Sequence, residues 1–307
     1  MHSRRLLRLV VSPVASSALL YLLVGFAAGL LWLSLASRAP ALVAPSIRAA
    51  ARGETAPPLT VPASGRVTLQ EAIGSVRRFA SQPGLVLEGG LQADEAGSRR
   101  GDIYYLESVS PTRGEDFFKV DARTAEVVEA TFRGRIAPAA DAVDLSFADA
   151  EALAGRFARM HFWGFDQLAL VDRSARTGDQ GPTYSFKWSQ LGRESQAELP
   201  VSVSIAVMGR SGQVVWYLGQ RDQLQIDPRP AVERDRAVEI TRAWLAPRDQ
   251  RWDLATPSSV RLQVLYDDDD RQQLVWSVVY LARQDSPRST LRLLVDAQTG
   301  VLIQDAS

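Results

Sequence analysis

The stretch Val295-Asp296-Ala297-Gln298-Thr299-Gly300-Val301-Leu302 decides the fold, because it predicts a tight turn between two apolar strands. The Asp296 carboxylate can accept a hydrogen bond from the backbone two residues further on, and the Thr299 hydroxyl can do likewise. Gly300 can adopt the positive φ that closes a tight hairpin. The sequence therefore predicts a β-hairpin near its end.

Two related stretches occur earlier in the chain, at 120–127 (VDARTAEV) and 207–214 (VMGRSGQV). Ala125, Gly212 and Gly300 occupy the same column of the three stretches, at spacings of 87 residues (125 to 212) and 88 residues (212 to 300). A nearly constant period predicts three copies of one folding unit. If Ala125 is left-handed, its side chain costs about 1 kcal/mol relative to glycine.

A helix is predicted at the start of each unit. The first follows a capping box at Thr68–Glu71 and ends before Pro83, the second follows Ser146 and runs to about Met160, and the third runs from about Val232 to Leu245. Short alternating strands are predicted after each helix, at 103–109, 116–120 and 127–128, at 168–172, 184–189, 201–207 and 214–218, and at 260–266, 274–282, 291–295 and 301–303. Residues 89–102 are predicted to form a loop. The fold class is α+β: tandem repeats of one helix packed on an antiparallel β-sheet.

The helix followed by strands and a V-D-x-x-T-G-x-(V/L/I) hairpin resembles the PepSY domain family. The third unit (230–305) matches through Asp296, Thr299 and Gly300, and the first (67–135) keeps Asp121 and Thr124 but has alanine in the glycine column. The second (144–226) keeps only the column glycine, with methionine and serine in the other two columns. The resemblance covers about residues 67 to 305.

The resemblance also implies a setting and a role. PepSY domains occur in tandem in membrane-anchored bacterial surface proteins and in the propeptides of secreted metallopeptidases. The family therefore implies a module that binds a protein or peptide, and that inhibits, chaperones or partners a secreted or envelope enzyme.

The N-terminal region predicts a membrane anchor. Residues 1–13 carry Arg4, Arg5 and Arg8, residues 14–36 carry no charge, and residues 38–66 are rich in Ala and Pro. This pattern predicts a basic cytoplasmic segment (1–13), a transmembrane helix (14–37) and an extended linker (38–66). The rest of the chain is predicted to lie outside the cytoplasm. The alternative is a cleaved signal peptide with its cleavage site after Ser34-Leu35-Ala36.

The composition of the chain argues against several classes of function. The 307 residues have a formal net charge of zero, 46% hydrophobic residues, two His and no Cys. A neutral balance argues against nucleic-acid binding, and the absence of Cys excludes disulfides, thiolate nucleophiles and zinc-thiolate sites. We predict no catalytic, cofactor-binding or metal-binding residue and no cofactor.

Three features of the sequence are candidates for a functional site. For His161, the sequence favours packing at a helix end over a role in activating a nucleophile, because no serine motif accompanies it. For the acidic run 267–270 (DDDD), the sequence favours a solvated hairpin turn over a calcium site, because the EF-hand pattern is missing. The aromatic residues favour core filling, although some of them could line a sheet face that binds a partner. This last set comprises Trp188, Trp216, Trp244, Trp252, Trp276, Tyr184, Tyr217, Tyr266 and Tyr280.

The sequence thus predicts a non-enzymatic, membrane-tethered, extracytoplasmic module that binds a protein or peptide. Two alternatives remain open. One is an envelope hydrolase with a carboxylate-based site, and the other is a sensor that binds a small ligand or lipid in the concavity of the sheet.

Overall fold

The computed structural model describes residues 65–92, 101–109, 115–133, 145–178, 181–248, 252–282 and 290–303. The predicted basic segment, the anchor and most of the linker lie outside the described residues. Within the described ranges, no helix is both long enough and apolar enough to cross a membrane.

The described residues form a mixed α+β fold with three α-helices and a twelve-stranded sheet. The first group of elements is α1 (Leu69–Phe79), β1 (Leu87–Gln92), β2 (Ile103–Ser108), β3 (Phe117–Asp121) and β4 (Val127–Thr131). The second is α2 (Phe147–His161), a short 3₁₀ helix (Phe165–Gln167), β5 (Ala169–Gly178), β6 (Gly181–Leu191), β7 (Glu198–Met208) and β8 (Gln213–Arg221). The third is α3 (Arg234–Leu245), β9 (Ser259–Tyr266), β10 (Gln272–Leu281), β11 (Thr290–Asp296) and β12 (Leu302–Ile303).

The strand order of the sheet is β1-β2-β3-β4-β8-β7-β9-β10-β11-β12, and β6 pairs with both β5 and β7. The strands pair antiparallel except where Glu198 of β7 lies beside Gln263 of β9. Glu198 is buried at this junction, where its carboxylate lies 2.8 Å from Lys187 Nζ and 3.5 Å from Arg261 Nη1. The third group of strands therefore joins the second through one backbone pairing, the charges around Glu198, side-chain hydrogen bonds such as Tyr266 Oη to Asp222 at 2.9 Å, and a shared apolar cluster.

The predicted capping residues begin the first two helices. The Thr68 hydroxyl accepts from Glu71 N at 3.2 Å, while the Glu71 carboxylate accepts from Thr68 N at 2.6 Å. The Ser146 hydroxyl accepts from Asp149 N at 3.2 Å. These bonds satisfy N–H groups that a helix leaves without partners, and so they fix where α1 and α2 begin.

The three turns of the repeated motif share one backbone geometry. Ala125, Gly212 and Gly300 have φ of 57°, 63° and 76°. Their N–H groups donate to the carbonyl oxygen four residues earlier at 2.9, 2.8 and 2.9 Å. Asp296 Oδ1 accepts from the N–H groups of Gln298 and Thr299 at 2.8 and 2.7 Å, as the motif predicts. Ala125 is therefore a non-glycine residue in the left-handed region.

The first two groups of strands meet about a local two-fold axis. Residues 129–131 of β4 pair antiparallel with residues 218–216 of β8, with Ala130 opposite Tyr217. In the motif alignment, residues 129–131 correspond to residues 216–218. Ala130 therefore pairs with its own counterpart, and residues 129 and 131 each pair with the counterpart of the other. The axis passes through the Ala130–Tyr217 pair. Phe79 of α1 and Phe157 of α2 meet beside it, with ring centroids 5.5 Å apart.

One shared core therefore lies under both helices, with β4 and β8 at its centre. Tyr217 is fully buried there, with its ring 5.0 Å from Phe79 and 6.0 Å from Phe157. The prediction of a loop over residues 89–102 is wrong at its start, because residues 87–92 form β1. The consecutive glycines at 89 and 90 concealed this strand, since glycine is depleted in strands.

Candidate functional site

One face of the sheet has no described helix packed on it, and we call it the open face. Side chains alternate between the two faces of a strand. Because Tyr217 packs on the rings of both helices, its neighbours Trp216 and Leu218 point to the opposite face. Both are half-buried. The open face therefore presents large apolar side chains near the two-fold junction.

The strand register arranges the open face in two rows that each cross seven strands. Residues directly opposite each other on paired strands lie on the same face, so the register defines each row. The first row is Glu107, Phe117, Thr131, Trp216, Ala206, Ser185 and Ser174. The second row is Tyr105, Lys119, Glu129, Leu218, Ser204, Lys187 and Asp172.

The rows have an apolar centre and charged flanks. Phe117, Trp216 and Leu218 are half-buried, and Tyr105 is 43% exposed. Lys119 and Lys187 are the only lysines in the chain, and both stand in the second row. Lys119 Nζ lies 2.8 Å from the Glu129 carboxylate. An apolar centre with a polar surround is the usual composition of a protein interface.

A cleft lies where β4 and β8 separate. Their pairing ends at Glu129 and Leu218, and a cavity of about 280 Å³ lies beside this point. The cavity is lined by residues from the first hairpin turn and from the end of β8, with Ile103 at one side. Acidic and basic groups face each other in it, and Glu126 and Arg221 lie closest, at 3.2 Å between Oε1 and Nη2.

The Glu126–Arg221 pair is held by its surroundings. Arg221 Nη2 donates to the Trp163 carbonyl oxygen at 2.7 Å, and its guanidinium lies 4.3 Å from the centroid of the Phe162 ring. Burial raises the pKa of Glu126, the positive charge of Arg221 opposes that shift, and the nearby Asp121 carboxylate adds to it. The carboxyl therefore keeps its proton to a higher pH than an ordinary glutamate does.

This shift predicts a pH-dependent stability. The pKa of Glu126 is raised in the folded protein, so between the ordinary glutamate pKa and the raised pKa the folded protein holds a proton that the unfolded chain has lost. The free energy of unfolding therefore falls as pH rises through this window. Glu126→Gln removes this dependence. The free energy of unfolding of Glu126→Gln relative to the unaltered chain should therefore increase with pH across that window, as measured by denaturant titration. A relative stability that decreases with pH would contradict the assignment.

Tyr217 extends the same polar system into the core. Its hydroxyl has no hydrogen-bond partner among the described residues. Burial raises its pKa, and the negative charge of Glu126 raises it further. The hydroxyl stays protonated and lies over Gly219, where an added Cβ would stand only 2.6 Å from its oxygen. Glycine at this position therefore gives the Tyr217 ring its space.

His161 lies in the aromatic core, at the end of α2. Its ring centroid is 4.4 Å from that of Phe79 and 4.3 Å from that of Phe157. Packing at a helix end is therefore what the structure shows for this residue.

The acidic run forms the turn between β9 and β10. Asp267 Oδ1 accepts from the N–H groups of Asp269 and Arg271 at 3.0 and 2.9 Å. Arg271 donates to the Asp267 and Asp269 carboxylates at 3.0 and 2.6 Å. Backbone donation from Arg271 is the main cause that lowers the pKa of Asp267. Among the described residues, no three His, Asp or Glu side chains lie close enough together to hold a metal ion.

The aromatic residues divide between core and surface. Trp188, Trp252, Trp276, Tyr217 and Tyr280 are buried, which confirms core filling for this subset. Trp216, Trp244, Tyr184 and Tyr266 are half-buried. Of these nine, Trp216 is the aromatic that stands at the apolar centre of the open face.

Comparisons with known proteins give little beyond this geometry. No family model matches the chain, and no curated protein matches it. Among solved structures, the C-terminal domain of YpeB from Bacillus megaterium is similar, with a TM-score of 0.49 and 16% identity. The match covers 77% of this chain and 96% of that domain. Membership of the PepSY family therefore stays a prediction.

Sequence reasoning missed the residues of the cleft and the most exposed aromatic side chain of the described ranges. Glu126 and Arg221 are far apart in the sequence and meet only because β4 pairs with β8. Trp163 is 72% exposed beside Met160, which is 69% exposed, at the end of α2 on the helix side of the sheet. The available signal was the run of aromatic residues that follows His161 in the sequence, Phe162, Trp163 and Phe165.

Proposed function

We propose that this chain is a non-enzymatic module of three tandem PepSY-like units, tethered to a membrane and lying outside the cytoplasm, that binds a protein or peptide partner on its open face. The two rows of side chains on that face carry the proposal. Their apolar centre is half-buried and is flanked by Lys119, Lys187, Glu129 and Asp172.

The open face has the composition of a surface that binds another protein. Large aromatic and aliphatic side chains at the centre of a patch supply most of the binding free energy in protein interfaces, and surrounding polar groups exclude water and set orientation. Trp216 and Leu218 have this central position. Lys119 and Glu129, already paired at 2.8 Å, would form part of the polar surround.

The regulatory role rests on the family resemblance. We propose that the partner is a secreted or envelope peptidase or a cell-wall hydrolase, whose activity the module inhibits, supports or localises. The uncharged span at 14–36 and the preceding arginines support a single membrane anchor with the repeats outside the cytoplasm. No nucleic-acid partner is proposed, because the net charge is zero.

A charge placed at the centre of the open face tests the proposal. Leu218→Arg should abolish capture of the partner from envelope extract by the full-length chain, because it replaces an apolar side chain at the centre of the interface with a long, charged one. Quantitative mass spectrometry of the captured proteins is the measurement, and thermal unfolding checks that the variant is folded. Met160→Arg, at an exposed position on the helix side, is the matched control and should capture normally. Equal capture by Leu218→Arg and the unaltered chain would refute the open-face site.

A second candidate function is favoured by the cleft between β4 and β8. Its volume of about 280 Å³ suits a small polar ligand, and Glu126 and Arg221 offer it opposite charges. If the chain is a sensor or a carboxylate-based hydrolase, Glu126→Gln should remove ligand binding or turnover while leaving partner capture unchanged. On the leading proposal, Glu126→Gln captures the partner normally and no turnover depends on it.

A further inference from the structure

The strand β5 is a long edge of the sheet. It pairs with β6 from Ala169 opposite Ser189 to Gly178 opposite Gly181, with one irregularity in register between Leu170 and Asp172. No described strand pairs with its other side. Its residues are exposed from Asp172 to Gly178. Arg261 Nη1 of β9 donates to the Val171 carbonyl oxygen at 3.0 Å and lies 3.8 Å from the Asp172 carboxylate, so the open stretch of this edge begins after Val171. An edge of this kind presents backbone N–H and C=O groups to any strand that can align with it.

The charges along β5 are arranged symmetrically about one residue. Asp172 and Arg176 lie two residues before and two residues after Ser174. All three side chains lie on the open face, because Asp172 and Ser174 stand in its two rows and side chains alternate along a strand. Arg173 lies on the other face, where it approaches Glu151 of α2 at 3.8 Å.

We propose that β5 pairs antiparallel with β5 of a second copy of this chain, about a two-fold axis through Ser174. In this register Asp172 of each copy lies opposite Arg176 of the other, which forms two ion pairs. Both ion pairs lie on the open face. The sheets of the two copies become continuous, and so do their open faces.

The pleat and the charges together select this register. Directly opposite residues must lie on the same face, so a two-fold antiparallel pairing must be centred on a residue and not between two residues. A two-fold axis through Asp172, Arg173 or Arg176 would place like charges of the two copies opposite each other, which is unfavourable. Centring on Ala175 forms no ion pair. Ser174 is the centre in this stretch that gives opposite charges on both sides.

The local two-fold at β4 and β8 shows that this type of edge pairing occurs within the chain. There, residues 129–131 and 216–218 align antiparallel about Ala130 and Tyr217. The proposed pairing of β5 repeats this arrangement between two copies. It extends the open face and does not cover it, so partner binding and self-association are separate properties.

Disulfide trapping tests the register directly, because the chain has no cysteine of its own. Ser174→Cys places two thiols on the axis, where opposite Cα atoms lie about 4.5–5.5 Å apart, within the range that a disulfide spans. Mild oxidation of the full-length chain in its membrane should therefore give a covalent dimer. Thr177→Cys is the control, because its two copies lie six residues out of register, about 20 Å apart, and it should stay monomeric.

Charge reversal supplies an independent readout by light scattering of the full-length chain in detergent. Asp172→Arg and Arg176→Asp should each weaken self-association by about tenfold or more, since each places two like-charged pairs opposite each other. Combining Asp172→Arg with Arg176→Asp restores opposite charges and should restore the dimer. Equal trapping at 174 and 177, a Ser174→Cys adduct with a different protein, or no rescue by the double variant would each overturn the proposal.

Discussion

Tyr217→Ala is expected to destabilise the protein by about 3–5 kcal/mol, the usual cost of removing a fully buried aromatic ring. Tyr217 is 0% exposed and stands at the local two-fold axis, between the rings of Phe79 and Phe157. Its removal opens a cavity under both α1 and α2, so the loss falls on the junction of the first two groups of elements. Chemical denaturation followed by circular dichroism measures it.

Tyr217→Phe is the matched control, because it keeps the ring and removes only the hydroxyl. That hydroxyl has no partner among the described residues. Removing an unpaired buried hydroxyl should change stability by less than about 1 kcal/mol, or increase it slightly. If Tyr217→Phe destabilised the protein as much as Tyr217→Ala, the hydroxyl would have an essential hydrogen-bond partner and the description of the core would be wrong.

Gly89→Ala is expected to destabilise the first group of strands by about 2–4 kcal/mol, combining backbone strain with steric overlap. Gly89 has φ of 144°, and an added Cβ would stand 2.0 Å from the Tyr105 carbonyl oxygen. The overlap is with backbone, so no side-chain rotation relieves it. Thermal unfolding gives the size of the effect, and amide hydrogen exchange in β1 and β2 gives its location.

Gly90→Ala is the control for this prediction, one residue further along the same strand. An added Cβ at Gly90 meets nothing within 4 Å, and its φ lies outside the left-handed region. Alanine should be neutral or stabilising by up to about 1 kcal/mol, because it restricts the unfolded chain more than glycine does. Similar losses at both positions would show that β1 is not paired as described.

Local signals in the sequence predicted most of the helices and hairpins. The pair Thr68 and Glu71 predicted the start of α1, since capping depends on residues only three apart. Asp296 and Gly300 predicted the last hairpin for the same reason, because the turn's hydrogen bonds and its positive φ are local properties. The strand β1 was missed because Gly89 and Gly90 carry no strand signal of their own.

The candidate sites could not be predicted, because they depend on which strands are neighbours. Trp216 and Thr131 stand side by side on the open face only through the pairing of β4 with β8. Glu126 and Arg221 meet through the same pairing. Long-range pairing of this kind is determined by the packing of the whole core, and the sequence spacing of the turns gives the period but not the order of the strands.

The central claim is that the open face, and not the helix side, contacts a protein partner. The most direct test replaces one exposed aromatic on each side with a photo-crosslinking phenylalanine derivative in the full-length chain, in cells. Tyr105 is 43% exposed on the open face, and Trp163 is 72% exposed on the helix side. We expect irradiation to give a defined protein adduct at Tyr105 and none at Trp163. An adduct at Trp163 without one at Tyr105 would contradict the claim.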